Sequence, residues 1–453
     1  MPHNLPPFIK KFIPVLFFPA FVMAFSPNAT LSSLPSNTAK DLGLYSTHCG
    51  DSTADPDNCR RVGDYSRFTY DPEHHQILFF GGGHSTTMRD DIDVFDFTTL
   101  TWKSAYRSTP CSLMTSITTD GTWSSSGHPV ARHTYDQLIY APNAHGLFIT
   151  SPVYGAGYCG TFGGCGQWCA GKMLLYDPVA KTWTAKTTAT NPAHVVSSEY
   201  DPVSGRIISA GGPGLSTYDP LTDTKTEYLS SSSISDYADN LVYFPPNDKF
   251  YYFSRGNPVA VHAVTLNRTN WASSTIQAVA GMSGTARTDE TGWAYDTANH
   301  VIGGGVTSDT FYAYDPIANS MTAKVMTVQG GGNGPTCYFH CLEYDPVDQV
   351  FMIYGEDFHT WAYCYVRIPA GVINQGPTYT RSEFNVSRNG KFILIHNNNC
   401  GEGFFRVMTV GGKVMREVYV PDNSSRKIGL ERRGVYLVEG KGKLSEIVRR
   451  IVF

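Results

Sequence analysis

Short apolar runs alternate with polar residues along most of this chain, and they come in pairs. A run ending in Tyr-Asp-Pro or a variant leads into a tight turn, and a second apolar run follows that often ends in glycine. The unit recurs as FTYDPEHHQILFFGGGH (68–84), LIYAPNAHGLFITSPVYG (138–155), SEYDPVSGRIISAGGP (198–213), LVYFPPNDKFYYFSRG (241–256), WAYDTANHVIGGG (293–305) and LEYDPVDQVFMIYGE (342–356). Each is followed by a second half with the same kind of turn and often a Trp: IDVFDFTTLTWKSA, MLLYDPVAKTWTAK, LSTYDPLTDTKTEY, VHAVTLNRTNWASS, FYAYDPIANSMTAK and, truncated, HTWAYCYV. Period-two alternation around a turn predicts strand pairs. Asp-Pro supplies the turn. Every unit is then a small antiparallel sheet that cannot bury both faces alone, so the sheets must stack around an axis. Gly-Gly at a strand end predicts close backbone approach near that axis.

The expected fold is therefore all-β: a six- or seven-bladed β-propeller. Six blades are counted; a seventh fits only within residues 40–66 or in a ring closed by both termini. The Gly-Gly after the second strand and the later aromatic and Trp positions resemble the kelch and galactose-oxidase-like propellers over about residues 43–370. With 453 residues there is room for a propeller and an appendage. Charged residues are 16%, aromatics 13% and glycines number 43, a balance suited to short strands and tight turns. The net charge of −4, with no basic patch in the body of the chain, speaks against a nucleic-acid partner.

The two ends read differently. Lys10 and Lys11 precede an apolar run from Phe12 to Phe25, too short to span a bilayer, with a small-residue cleavage pattern at Val22-Met23-Ala24. Residues 1–24 are expected to be a signal peptide, leaving no membrane span in the mature chain, and residues 25–370 the propeller. Residues 371–377 (GVINQGP) look like a linker. From Thr378 the Tyr-Asp-Pro signal stops and basic residues become common, and residues 378–453 read as hairpins of a small β-sandwich. MTVGGKV (408–414), RGVYLV (433–438) and the final Arg449-Arg450-Ile451-Val452-Phe453 resemble the C-terminal sorting domain of the bacterial type IX secretion system. That resemblance implies a protein secreted to, or held on, the outer cell surface of a bacterium, with the type IX machinery as a partner. The even count of ten cysteines suits an oxidising compartment. Cys49 with Cys59, and Cys111 with one of Cys159, Cys165 and Cys169, are candidate disulfides.

Candidate chemistry lies where loops meet one face of the channel. Positions before each first strand (His133, His194, Tyr237, Glu290, His340) and after each second strand (His84, Tyr154, Arg255, Glu356, Asp357) share a face. The order His133, Tyr154, Tyr237, Arg255 resembles the propeller polysaccharide lyases that cut ulvan. The resemblance implies β-elimination on a uronate-containing, acidic polysaccharide: Arg255 holds the carboxylate, while His133 and Tyr237 exchange protons with the sugar. Tyr154 stands where that family has a second His, and His84 is its substitute. No cofactor is required for this chemistry. The alternative is a non-catalytic kelch propeller that binds a glycan or a protein at the cell surface, since fold alone does not fix function.

Cys337, His340 and Cys341 fall within five residues and are candidate ligands of a structural zinc, with His359 or Cys364 as a fourth. The rival is a disulfide from Cys337 or Cys341 to Cys364. Asp90, Asp91 and Asp93 read as carboxylates that solvate a loop, with calcium the rival.

Overall fold

The computed structural model describes residues 25–45, 65–81, 89–153, 171–191, 196–229, 234, 240–254, 259–280, 291–307 and 309–368, together with seven strands between 384 and 452. The chain divides into two compact units, Met1–Val372 and Ile373–Phe453. The expected linker at 371–377 and the signal peptide at 1–24 lie outside the described residues. Among the described residues, no helix is long and apolar enough to cross a membrane.

The first unit is a ring of six sheets, one for each repeat found in the sequence. Blade 1 consists of strands Phe68–Asp71, Gln76–Phe79, Asp93–Asp96 and Thr101–Ser104, paired antiparallel in chain order. The inner strands of blades 2 to 6 are Leu138–Ala141, Val196–Asp201, Asn240–Phe244, Trp293–Asp296 and Cys337–Asp345. Blade 6 has only three strands of its own. Thr38–Leu44, from the beginning of the propeller, pairs antiparallel with His359–Cys364 and completes it. The truncated last repeat is thus finished by the N-terminal segment, and there is no seventh blade among the described residues. Both ends of the propeller contribute to this one sheet, so the ring cannot open without breaking that strand pairing.

The Tyr-Asp-Pro turn has one repeated geometry. Asp71 accepts the backbone N–H of Glu73 and His74, Asp296 those of Ala298 and Asn299, and Asp345 that of Val347. The outer hairpins repeat it at Asp96, Asp177, Asp219 and Asp315. This is the side-chain turn that Asp favours. Blades 2 and 4 have Ala141 and Phe244 where the other blades have Asp. Lacking that acceptor, their turns become single 3-10 turns, Pro142–Ala144 and Pro245–Asn247, with proline at the start.

The apolar cores lie between blades rather than inside them. One cluster joins Leu78 and Val94 of blade 1 to Leu138 and Leu147 of blade 2, and another joins Phe253 of blade 4 to Trp293 and Ile302 of blade 5. The expected glycine crowding is present. A Cβ on Gly304 would sit 2.2 Å from the carbonyl oxygen of Gly292, and one on Gly81 would meet the Ser66 hydroxyl.

The second unit holds two sheets. Phe384–Asn389, Phe392–Asn397 and Ser425–Gly429 form one, and Gly403–Thr409, Val414–Val420, Val435–Lys441 and Glu446–Val452 form the other. The sheets touch through Phe384–Asn389 against Glu446–Val452 and through Val414–Val420 against Phe392–Asn397 and Ser425–Gly429, and Ile395, Val407 and Val420 are fully buried.

Candidate functional site

The penultimate residue of all six inner strands is a tyrosine: Tyr70, Tyr140, Tyr200, Tyr243, Tyr295 and Tyr344. They form a collar around one mouth of the central channel, at the end carrying the Asp-Pro turns. Inside the collar is a cavity of about 400 Å3 lined by every inner strand. Several hydroxyls are anchored on turns. Tyr140 donates to Glu73 on the neighbouring blade, Tyr243 donates to Asp248 of its own turn, and Tyr295 lies 2.7 Å from His300 Nδ1. The rings therefore keep fixed positions and brace the blades.

The floor of the cavity is charged. Arg67 comes from the start of blade 1 and is nearly inaccessible. Its guanidinium pairs with Asp136 Oδ1 at 2.6 Å and Glu343 Oε1 at 2.7 Å, with Glu199 Oε2 at 3.9 Å. Asp136 also accepts the N–H of Leu241, which ties blade 2 to blade 4. Burial opposes the charge of Arg67, but the fields of Asp136, Glu343 and Glu199 outweigh it and hold its pKa above the usual value. One cation faces three carboxylates, and the surplus shows in their affinities for protons. Burial raises Asp136 and Glu343, only partly offset by Arg67. Burial pushes Glu199 up to about 7, again against the pull of Arg67 and with Glu343 adding to the rise.

A pH dependence follows. An acid whose native pKa is raised carries a proton that the unfolded chain has lost. Its favourable contribution is complete below the unfolded value of 4.5 and is lost as pH rises through about 7. Urea unfolding should therefore show stability falling across pH 5–7.5. Glu199→Gln should remove up to roughly 3 kcal/mol of that fall. An identical pH profile in the variant would contradict the assignment.

Beside Arg67, the channel interior is closed by Asn240 and His340. Asn240 donates to the Thr291 carbonyl and to His340 Nδ1, and its Oδ1 accepts the N–H of Trp293. That pattern fixes His340 as the tautomer protonated on Nε2. Burial, aided by Arg67, pushes its pKa down to about 3, so it stays neutral.

The expected zinc set is not assembled. Cys337 donates to the Phe339 carbonyl, Cys341 donates to the Ser66 carbonyl, and the lone pair of His340 Nδ1 is taken by Asn240. No three ligand atoms of Cys337, His340, Cys341, His359 and Cys364 lie within 4.8 Å of one another. Cys337, Cys341 and Cys364 are buried, and no disulfide joins them.

Of the residues expected to carry lyase chemistry, only His133 is described. It is buried, stacked on Tyr65 at 4.3 Å, with Nδ1 3.0 Å from the Tyr135 hydroxyl. Beside it, Arg132 is buried on backbone carbonyls of Gly121, Val130 and Ser151, and burial pushes its pKa down to about 9. His84, Tyr154, Tyr237 and Arg255 lie outside the described residues, as do His194, Glu290 and the cysteines at 49, 59, 159, 165 and 169. Glu356 and Asp357 are exposed, and Asp357 caps the N–H of His359. The aspartates at 90, 91 and 93 do not solvate a loop. They are buried: Asp91 and Asp93 clamp Arg89, and Asp90 accepts from Ser108 and Thr109.

Arg67, Asp136, Glu199 and Glu343 were not singled out by sequence reasoning. A signal was present. Glu199 and Glu343 both immediately precede the repeat tyrosine, and Arg67 stands three residues before its own.

Fold and site together define a six-bladed propeller with an aromatic, acid-floored pocket in one channel mouth. No protein-family profile matches the chain, and no curated protein does. Solved structures align with the chain at low identity. An auxiliary nutrient binding protein from Bacteroides thetaiotaomicron is 12% identical with a TM-score of 0.44, covering 72% of this chain and 75% of its own. Two structures of an extracellular domain from the same organism, assigned to a one-component and to a hybrid two-component system, are 12% and 11% identical, with TM-scores of 0.34 and 0.38. They cover 85% and 91% of this chain, which spans only 50% and 59% of theirs.

Proposed function

We propose that this protein is a non-catalytic binding propeller, exported by its leader segment and addressed to the outer surface by its C-terminal domain. Its ligand is a neutral or amino-sugar glycan end seated in the tyrosine collar. The observation that carries this reading is the pocket itself: about 400 Å3, walled by aromatic rings, with a floor of one arginine against three carboxylates. Pockets of a few hundred Å3 with apolar walls and a few fixed polar groups are the usual form of small-ligand sites. Sugar rings present apolar faces to aromatic walls and donate hydroxyl protons to carboxylates. The acid surplus favours neutral or cationic ligands and repels uronates. Arg67 is already committed to its own carboxylates and has no charge left for an acidic ligand.

The test is calorimetric titration of the purified protein with neutral, amino-sugar and uronate oligosaccharides. Neutral or amino sugars should bind, and Tyr200→Ala should weaken binding about tenfold or more, the loss of one stacking contact with its neighbours. Uronates should bind least and yield no unsaturated product. Cleavage of a uronate polymer would overturn the reading in favour of a lyase. Unchanged affinity in Tyr200→Ala would move the ligand out of the collar.

A further inference from the structure

The ring has to be fastened where its ends meet, between blade 6 and blade 1. There the inner turn of blade 1 lays His75 against the inner turn of blade 6. The imidazole is stacked on Phe97 at 4.5 Å and 5°, with Phe25 at 5.1 Å. His75 Nε2 lies 3.1 Å from Asp345 Oδ1 and 3.9 Å from Asp348 Oδ2. Both carboxylates have 0% exposed surface. Asp348 Oδ1 accepts the N–H of Asn28 from the N-terminal segment, while Asp348 Oδ2 has no hydrogen-bond partner. Among the described residues, no lysine or arginine pairs with either carboxylate. The nearby Arg367 instead donates to the backbone carbonyls of Asp348, Leu31 and Leu34. Two carboxylates, one of them with an orphaned oxygen, thus face one imidazole, with the Tyr70 hydroxyl also hydrogen-bonded to Asp345.

We propose that His75, Asp345 and Asp348 bind a divalent transition-metal cation that latches blades 1 and 6 and the N-terminal segment together. The three ligand atoms lie within 4.8 Å of one another, the one such group among the described residues. Ligand atoms bound at about 2.0–2.2 Å to one ion stand up to about 4 Å apart; the 3.1 and 3.9 Å spacings from His75 meet that limit, and the two carboxylates, within 4.8 Å of each other, need at most a small inward shift. An imidazole beside two carboxylates selects zinc or manganese over calcium or magnesium, which prefer all-oxygen sites. A dication also neutralises the buried pair. The rival is a proton on Asp348, whose pKa is raised by burial and by the neighbouring charge of Asp345.

The test uses the full chain stripped with EDTA, with zinc, manganese and calcium added in turn. Zinc or manganese should bind at one equivalent and raise the melting temperature by about 3–6 °C at a hundredfold excess over Kd; calcium should do neither. Asp348→Asn and His75→Gln should each weaken binding at least tenfold. X-ray absorption at the zinc edge of the wild-type protein needs no folded variant and should show nitrogen and oxygen neighbours. Failure of zinc and manganese to bind or to move the melting temperature, wild-type affinity in both variants, or a sulfur shell around the zinc would each overturn the proposal.

Discussion

Arg67→Met should lower the stability of the propeller by about 3–5 kcal/mol, read as a shift in the urea midpoint of tryptophan emission. The substitution preserves much of the side-chain volume and removes the charge together with the guanidinium's hydrogen-bond donors. It leaves Asp136, Glu199 and Glu343 facing one another in the channel floor with no cation. Asp136 would then be a fully buried carboxylate satisfied only by the N–H of Leu241. Much of the cost should reflect the stranded acids rather than the worth of the ion pairs. Adding Asp136→Asn and Glu343→Gln to Arg67→Met should therefore recover part of the loss, since a wholly neutral network avoids the penalty of stranding charges. A single variant within 1 kcal/mol of wild type would mean that the floor is not the closed electrostatic unit the distances describe.

Tyr45→Ala should cost about 4–5 kcal/mol, measured in the same way. Tyr45 follows the N-terminal strand that completes blade 6 and is fully buried. Its ring packs on Trp102 at 4.5 Å and Phe79 at 6.1 Å in blade 1, and on Tyr354 at 5.2 Å in blade 6. Its hydroxyl donates to Asp93, which also takes Arg89. Truncation removes an aromatic wedge from the seam and one donor from a buried carboxylate. Tyr45→Phe, which keeps the wedge, should cost only about 1–2 kcal/mol. A loss under 1 kcal/mol in Tyr45→Ala would contradict ring closure by the N-terminal segment.

The blades were legible in the sequence because each repeat encodes its own turn. The Asp of Tyr-Asp-Pro caps the turn, and the alternating residues around it make the strands. That pattern counts six blades and leaves a seventh open, and it does not mark the place of Thr38–Leu44. Its partner strand lies more than 300 residues away, and no local pattern marks a strand that finishes another blade. Gly304 was legible as crowding because only a missing Cβ fits beside the Gly292 carbonyl.

The site was less legible for a related reason. Repeat-equivalent positions before first strands and after second strands point to the loop-bearing side. The same alignment at the other end of the inner strands puts Glu199 and Glu343 in register, but their meaning depends on Arg67 from a different blade. A pair formed between blades leaves no spacing signature. The Cys337–Cys341 segment shows the converse. Its spacing suggested ligands, yet its side chains donate to backbone carbonyls or serve Asn240, because neighbouring residues of one strand point to different neighbours.

The central claim is that the ligand sits in the tyrosine collar, and a crystal structure with the best-binding oligosaccharide tests it most directly. The account predicts a sugar ring against the collar, with a hydroxyl within hydrogen-bond distance of Glu199 or Glu343. Sugar density on the opposite face, around His133, with an empty collar, would contradict it.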